Sequence, residues 1–430
     1  MKLETNVRVI ERKYLLPFIL VTSLFALWGL ANNMTDTLLA AFRKIMQMSD
    51  TQTSFIQMAF YGAYFCLALP AALFIRKHSY KSGVILGLCL YALGAILFLP
   101  AAGVASYAFY LIAIYIMAAG CSVLETTANP YIMSMGSPET ATRRLNIAQS
   151  FNPIGSILGI LVSKYFILQD ISLYSVSGTY AAVGGVLIVI LLVFAFGIKG
   201  SLRETVSDAQ QSLNAKHSTL NSIRMLLSNR VYRGGVIAQF FYVGAQIGVW
   251  SFTIRLVMKE LGMVEAQAAT LYLISIIGFC ASRFVYTWLM KYVAPQRLLA
   301  AGAVLSSVCA LLVVLTSGWF CVVCLLLVSV FMSLMFPTIY GIALGSVNES
   351  EHADDTKIGA SGLIMAILGG ALLTPVQGMV SDAAGINMSY LVPMGCFVVV
   401  LLYSLLNAKQ ATVSKLKFSN SQILDSRKRF

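Results

Sequence analysis

Two carboxyl residues interrupt long apolar runs: Asp36 in "LANNMTDTLL" (30–39) and Glu125 in "GCSVLETTANP" (120–130). Nearly all the other acidic residues fall in polar links, in tails or at the ends of runs, Asp382 among them. A carboxyl in hydrocarbon costs roughly 2.5–3.5 kcal/mol on insertion scales and persists where it faces a partner or a water-filled cavity. Out of water it holds a proton more readily than in water. The chemistry that fits both positions is reversible proton uptake. The structural alternative is an ion pair with Arg283, the one strong cation well inside an apolar run.

Amides and aromatics accompany the carboxyls at helical spacing. Trp28, Asn32 and Asp36 are four apart and share a helix face, and so do Glu125 and Asn129. Asn33 adjoins the first stripe. Asn146, Gln149, Asn152 and Ser156 step by three or four along a third face. Farther on, "QFFYVGAQIGVW" (239–250) sets Gln239, Tyr242, Gln246 and Trp250 on one face, and Arg283 follows in "ASRFVYTWL". Amides and carboxyls are the donors and acceptors that recognise hydroxyl-rich ligands. Trp28, Tyr61, Tyr64, Tyr242 and Trp250 offer an aromatic platform. The plainer readings are hydrogen bonding between helices for the amides and ordinary packing for the rings.

Other chemistries lack material. His78, His217 and His352 all fall in polar links, so a metal site has almost no ligands. "CVVC" (321–324) has CxxC spacing but lies in an apolar run with no turn, so redox use and zinc are not expected. A membrane-embedded enzyme would need a nucleophile–base pair or a metal, and neither is present. The formal net charge of +13 does not point to nucleic acid, because the basic residues cluster by position. The expectation is a non-enzyme with no metal and no organic cofactor.

The elements that must position these residues are membrane helices. Of 430 residues, 58% are hydrophobic and 11% charged, against about 25% charged in soluble proteins. Apolar runs of about 20 residues, the length that crosses a bilayer, recur along the chain. Their limits are 15–42, 53–75, 82–100, 106–135, 146–168 and 178–198, then 233–257, 265–290, 297–316, 319–346, 358–381 and 388–406. The fold class is an all-α polytopic membrane protein with twelve transmembrane helices in two six-helix halves. An amino-terminal segment, 1–14, precedes the first bundle, 15–198. A polar, basic linker, 199–232, leads to the second bundle, 233–406, and a tail, 407–430, closes the chain.

Arg and Lys collect at the amino terminus, at 76–81, at Arg143–Arg144, through 199–233 and in "SRKRF". These segments share one side if the spans alternate, which places both termini in the cytoplasm. The first run is too long for a cleavable signal peptide and lacks a small-residue cleavage site. A faint repeat relates the halves. "ANPYIMSMGS" closes the fourth run and "MFPTIYGIALGS" the tenth, and each is followed by a run rich in small residues. Two such halves about an axis along the membrane normal are the organisation of major facilitator transporters, with the substrate near the midplane.

The motifs "LFALWGLANNMTDTLL", "FIQMAFYGAYFCLALPAAL", "GCSVLETTANPYI", "LNIAQSFNPIGSI", "QFFYVGAQIGVWSFTIR" and "TPVQGMVSDAAG" resemble the fucose:proton symporter family of the major facilitator superfamily. The resemblance spans all twelve runs, and the motifs are specific as a set. It implies a major facilitator fold and proton-driven uptake of a monosaccharide through a bacterial cell inner membrane. By resemblance, Asp36 and Glu125 match the family's protonatable residues, and Gln149 and Asn152 its sugar-binding pair. Asn33, Trp250 and Arg283 fall on further motif positions. "ANN" and "AQSFN" favour the fucose branch. Two departures stand out: that branch carries a Tyr before "PTI" where this chain has Phe336, and Pro153 follows Asn152.

The expectation is therefore a monomeric, alternating-access importer in the lipid bilayer, taking L-fucose or a close relative with one proton. Proton coupling falls to Asp36 and Glu125. Sugar binding falls to Asn32, Asn33, Glu125, Asn129, Gln149, Asn152, Tyr242, Gln246, Trp250 and Arg283. The alternatives are an exporter, a carrier of another sugar (glucose, galactose or an amino sugar) with proton or sodium coupling, and a non-transporting sugar receptor.

Overall fold

The computed structural model describes residues 9–47, 50–167, 172–197, 219–348 and 353–408, with the backbone alone at 32, 35–41, 43–44, 50–54, 57, 164, 197, 265–266, 348 and 353–354. Asn32 and Asp36 therefore lie in helical backbone, and their side chains fall outside the described residues. The described chain is helical throughout, with twelve helices long and apolar enough to cross a membrane. Hydrocarbon offers no hydrogen-bond partner, so each span must satisfy its backbone internally, as a helix does.

The first four spans are centred on the helices Leu15–Ile45, Asp50–Lys77, Tyr80–Ile96 and Tyr107–Ser134. The fifth is built from two pieces, Ala141–Gln149 and Asn152–Val162, and the sixth runs Leu173–Leu192. The seventh to ninth run Arg230–Leu261, Glu265–Leu289 and Pro295–Leu315. The tenth joins Gly318–Met332 to Met335–Asn348, and the eleventh joins Ala353–Met365 to Gly369–Ala384. The twelfth span is Met388–Ala408. Several boundaries move by a few residues, the sixth span starting at Leu173 rather than 178 among them, and two differences are larger. The fifth span begins at Pro138 rather than 146. The stretch expected as linker ends in a helix, Thr219–Ser228, and the seventh span starts at Arg230.

Local signals set the ends. Ser79 caps the third span by accepting from Ser82 N at 3.1 Å. Asn229 caps the seventh by accepting from Val231 N at 2.9 Å and Tyr232 N at 3.1 Å. That helix stops at Gly262, which takes the left-handed backbone glycine allows.

Small residues set the packing. The first span lies on the fifth so closely that a Cβ on Gly155 would strike the Ala26 carbonyl. Six spans later, the seventh lies on the eleventh, and a Cβ on Gly369 would strike the Phe240 carbonyl. The repeated pairing gives the faint sequence repeat a physical counterpart. Many large apolar side chains stay exposed on the outer surface, Leu15, Phe166, Phe196, Trp288 and Leu406 among them. Such a surface suits lipid.

The halves meet through the second and fourth spans against the eleventh, and the fifth against the eighth and tenth. On the side that carries the linker, Thr142 of the fifth span packs against Gly341 of the tenth. One turn deeper, Asn146 Nδ2 donates to Thr338 Oγ1 at 3.3 Å. Lys357 lies over the Tyr80 ring, 5.2 Å from its centroid. The linker side is thus closed by contacts between halves.

Candidate functional site

Above that closed floor lies a cavity of about 940 Å³, a figure that includes space open to solvent. Its walls come from both halves.

The first half supplies Trp28, Asn33, Tyr61, Tyr64, Glu125, Gln149, Asn152 and Ser156 to the wall. Trp28 Nε1 donates to the Tyr64 hydroxyl at 2.6 Å, and its ring stacks on Phe25. This fixes the indole as a platform. Asn152 Nδ2 donates to the Phe25 carbonyl at 3.3 Å, across the close approach that Gly155 permits. Gln149 Nε2 donates to Asn129 Oδ1 at 3.0 Å.

Glu125 is 5% exposed and lines the cavity, with no ionic partner among the described residues. Its neighbours are Asn129 on its own helix, Cys121 one turn back, Tyr64 of the second span and Tyr340 of the tenth. The Tyr340 hydroxyl and Asn129 Nδ2 are buried, and neither closes a hydrogen bond of ordinary geometry. Each such group costs about 1–3 kcal/mol, so the surroundings of Glu125 hold unspent hydrogen-bonding capacity.

The second half supplies Gln246, Trp250, Arg283 and Phe336, with apolar Val243, Ile247 and Ile367. Trp250 Nε1 donates to Ser329 Oγ at 3.3 Å, and Ser275 donates to the same oxygen at 2.6 Å. Arg283 is 2% exposed and lies over the Phe279 ring. The ion pair weighed for Arg283 with Glu125 is absent among the described residues. Its guanidinium instead meets two backbone carbonyls: Nε donates to Ser333 O at 2.7 Å and Nη1 to Gln149 O at 2.8 Å.

Of the residues singled out in the sequence, the cavity gathers Asn33, Glu125, Gln149, Asn152, Gln246, Trp250 and Arg283. Asn129 stands behind Gln149, outside the lining. Tyr242 is fully buried, behind Phe336 with ring centroids 6.4 Å apart. Gln239 and Asn146 also lie off the cavity, buried between helices. The polar stripe on the fifth span therefore divides at the break between its two helices. Gln149, Asn152 and Ser156 face the cavity, and Asn146 faces Thr338. Phe336 and Ser329 were not among the expected site residues. Ser329 carries a weak signal, one of two serines in the apolar "LLLVSVFMSL". Phe336 carries one only as the departure from the fucose branch at the position before "PTI".

A carboxyl with no counter-ion among the described residues, amides from three spans and two anchored indoles thus share one cavity between two six-helix halves. Comparison with known proteins agrees with that architecture. The family model described as the Major Facilitator Superfamily matches residues 18–366. The L-fucose-proton symporter of Haemophilus influenzae is 40% identical over 431 residues, covering 93% of this chain and 98% of that one. The L-fucose-proton symporter of Escherichia coli is 37% identical over 428 residues, covering 94% and 95%. The crystal structure of the Major Facilitator Superfamily transporter FucP in the outward conformation superposes with a TM-score of 0.81, at 35% identity, covering 91% of this chain and 99% of that one. The chain belongs to the major facilitator superfamily, within its group of fucose:proton symporters.

Proposed function

We propose that this protein is a secondary active transporter, not an enzyme, that imports L-fucose together with a proton by alternating access. The observation that carries the reading is the shared cavity: Glu125 lines the same space as Gln149, Asn152, Gln246 and the two indoles. Family membership and the two symporters at 40% and 37% identity support it.

The roles follow from the chemistry. Gln149 and Asn152 present amides that both donate to and accept from sugar hydroxyls. Trp28 and Trp250, each held by its N–H, offer flat apolar faces to the carbon–hydrogen faces of the ring. Glu125 carries the proton, with Asp36 as the second candidate. No metal or organic cofactor enters the cycle, and the proton is the coupling ion. Each inward positive charge gains about 2.3 kcal/mol per 100 mV of membrane potential. Symport requires that the carrier reorient with both sugar and proton or with neither.

The closed linker side and the likeness to a transporter in the outward conformation support an outward-facing state. Arg76, Lys77, Lys81, Arg143, Arg224, Arg230 and Arg233 sit at helix ends on the linker side. The positive-inside rule then supports a cytoplasmic linker and cytoplasmic termini in a bacterial inner membrane. Each chain holds a complete cavity, which supports a functional monomer.

The test is the external pH of lightly buffered, de-energised vesicles or cells after L-fucose is added. Alkalinisation that survives replacement of sodium by potassium is expected. A response to another sugar alone would move the substrate and keep the mechanism. No response to any sugar would overturn the reading.

A further inference from the structure

The two carbonyls that Arg283 holds share a property. Each lies four residues before a proline: Gln149 before Pro153, and Ser333 before Pro337. In an α-helix the carbonyl of residue i accepts from the N–H of residue i+4. Proline has no N–H. Both carbonyls therefore lack their helical partner because of the sequence itself. Both sit where a span changes from one helical piece to the next, at 149–152 and 332–335.

The two bonds differ in what they join. Arg283 and Ser333 belong to the same half, and the side chain is further held over the Phe279 ring, 4.7 Å from its centroid. Gln149 belongs to the other half. One end of the guanidinium is thus anchored, and the other reaches across the interface. The bond to Gln149 lies on the inner side of the Asn146–Thr338 and Thr142–Gly341 contacts that close the linker side. An arginine suits this task, since its planar fork presents several N–H donors in fixed directions.

We infer that Arg283 is a conformational latch, a positioning residue whose cross-half bond to the proline-freed Gln149 carbonyl holds the linker side closed. Opening that side draws the fifth span from the eighth and tenth, and this bond must break. The freed carbonyl then waits for water or a ligand hydroxyl. The bond ends on the residue whose side chain faces the cavity, so occupancy of the cavity and closure of its floor meet at Gln149. The inference takes alternating access from the proposed function but does not depend on which sugar or ion is carried.

The test reads opening directly. In a variant lacking the native cysteines, Thr142→Cys reports the linker side, since Thr142 is covered by Gly341 when that side is closed. Its maleimide labelling rate is measured in purified protein without sugar. Arg283→Gln is expected to raise the rate roughly tenfold, the scale of one lost charge-assisted hydrogen bond. Arg283→Lys, which keeps a charge but loses the fork, should fall between. Pro153→Ala tests the same latch without touching the arginine. It returns an N–H that competes for the Gln149 carbonyl, and labelling should rise while size-exclusion behaviour stays that of the parent. A wild-type rate in both Arg283→Gln and Pro153→Ala, with both proteins folded, would overturn the latch. A failed sugar–pH response would leave this result standing.

Discussion

The Gln149 side-chain amide donates to Asn129 Oδ1 at 3.0 Å, and Asn129 lies one helical turn from Glu125. One hydrogen bond and one turn of helix therefore separate a cavity-lining amide from the buried carboxyl. Asn129 Nδ2, on the same side chain, closes no hydrogen bond of ordinary geometry and lies beside Glu125 and Tyr340. A ligand that turns the Gln149 amide changes what Asn129 offers to Glu125. Under the proposed function, the arrangement would give sugar and proton a short physical connection through a residue that does not line the cavity.

Glu125→Gln removes the proton and keeps the shape. Gln retains hydrogen-bonding capacity toward Asn129 and the Tyr340 hydroxyl, so the cavity is expected to persist. Exchange of labelled for unlabelled L-fucose across vesicles should remain near the wild-type rate. Uphill accumulation should disappear, and the rise in wild-type uptake as external pH falls should vanish with it, because a neutral amide does not titrate. Accumulation at the wild-type level would exclude a coupling role for Glu125.

Asn152→Ala separates binding from folding. The side chain makes one hydrogen bond, to the Phe25 carbonyl at 3.3 Å, while the helix contact beneath it depends on Gly29 and Gly155. Loss of sugar affinity by roughly tenfold or more is expected from the removal of a half-buried amide that lines the cavity. Thermal stability in detergent should change little. Calorimetric titration with L-fucose is the check, and an unchanged dissociation constant would remove Asn152 from the site.

The sequence made some of this legible and left the rest hidden for definite reasons. Composition and run length were enough for twelve spans, because hydrocarbon leaves the backbone little choice. Glu125, Gln149 and Asn152 stood out because polar groups in apolar runs are costly. The placement of Tyr242 and Asn146 was not legible. Helical spacing shows which residues share a face but not which neighbour that face meets. Arg283 was the sharpest case: weighed as an ion-pair partner for the carboxyls, it instead holds two carbonyls freed by Pro153 and Pro337. The prolines were visible from the start, but only the fold brings one arginine to both.

Phe336→Tyr tests a departure from the fucose branch, where a Tyr precedes "PTI". Phe336 lines the cavity, with Tyr242 behind it. A hydroxyl added at the ring edge introduces a polar group that a sugar hydroxyl can meet. The expected outcome is a shift of several-fold in relative affinity between L-fucose and other monosaccharides, read by competition against labelled L-fucose. Identical competition profiles for the two proteins would show that the position does not select the sugar.

Gly155→Val tests the packing that sets the site. A Cβ at this position strikes the Ala26 carbonyl of the first span, which is backbone and cannot rotate away. The first and fifth spans must then separate, and with them Trp28 and Asn33 on one side and Gln149 and Asn152 on the other. Overpacking of this kind costs typically 1–3 kcal/mol, and more where backbone must move. Both a lower melting temperature in detergent and weaker L-fucose binding are expected. The equivalent substitution in the second half, Gly369→Val against the Phe240 carbonyl, should lower stability in the same way. It displaces the seventh span, which carries Gln246 and Trp250, so its binding defect should also appear. A Gly155→Val protein with parental melting and parental affinity would show that the two spans are not held at this distance.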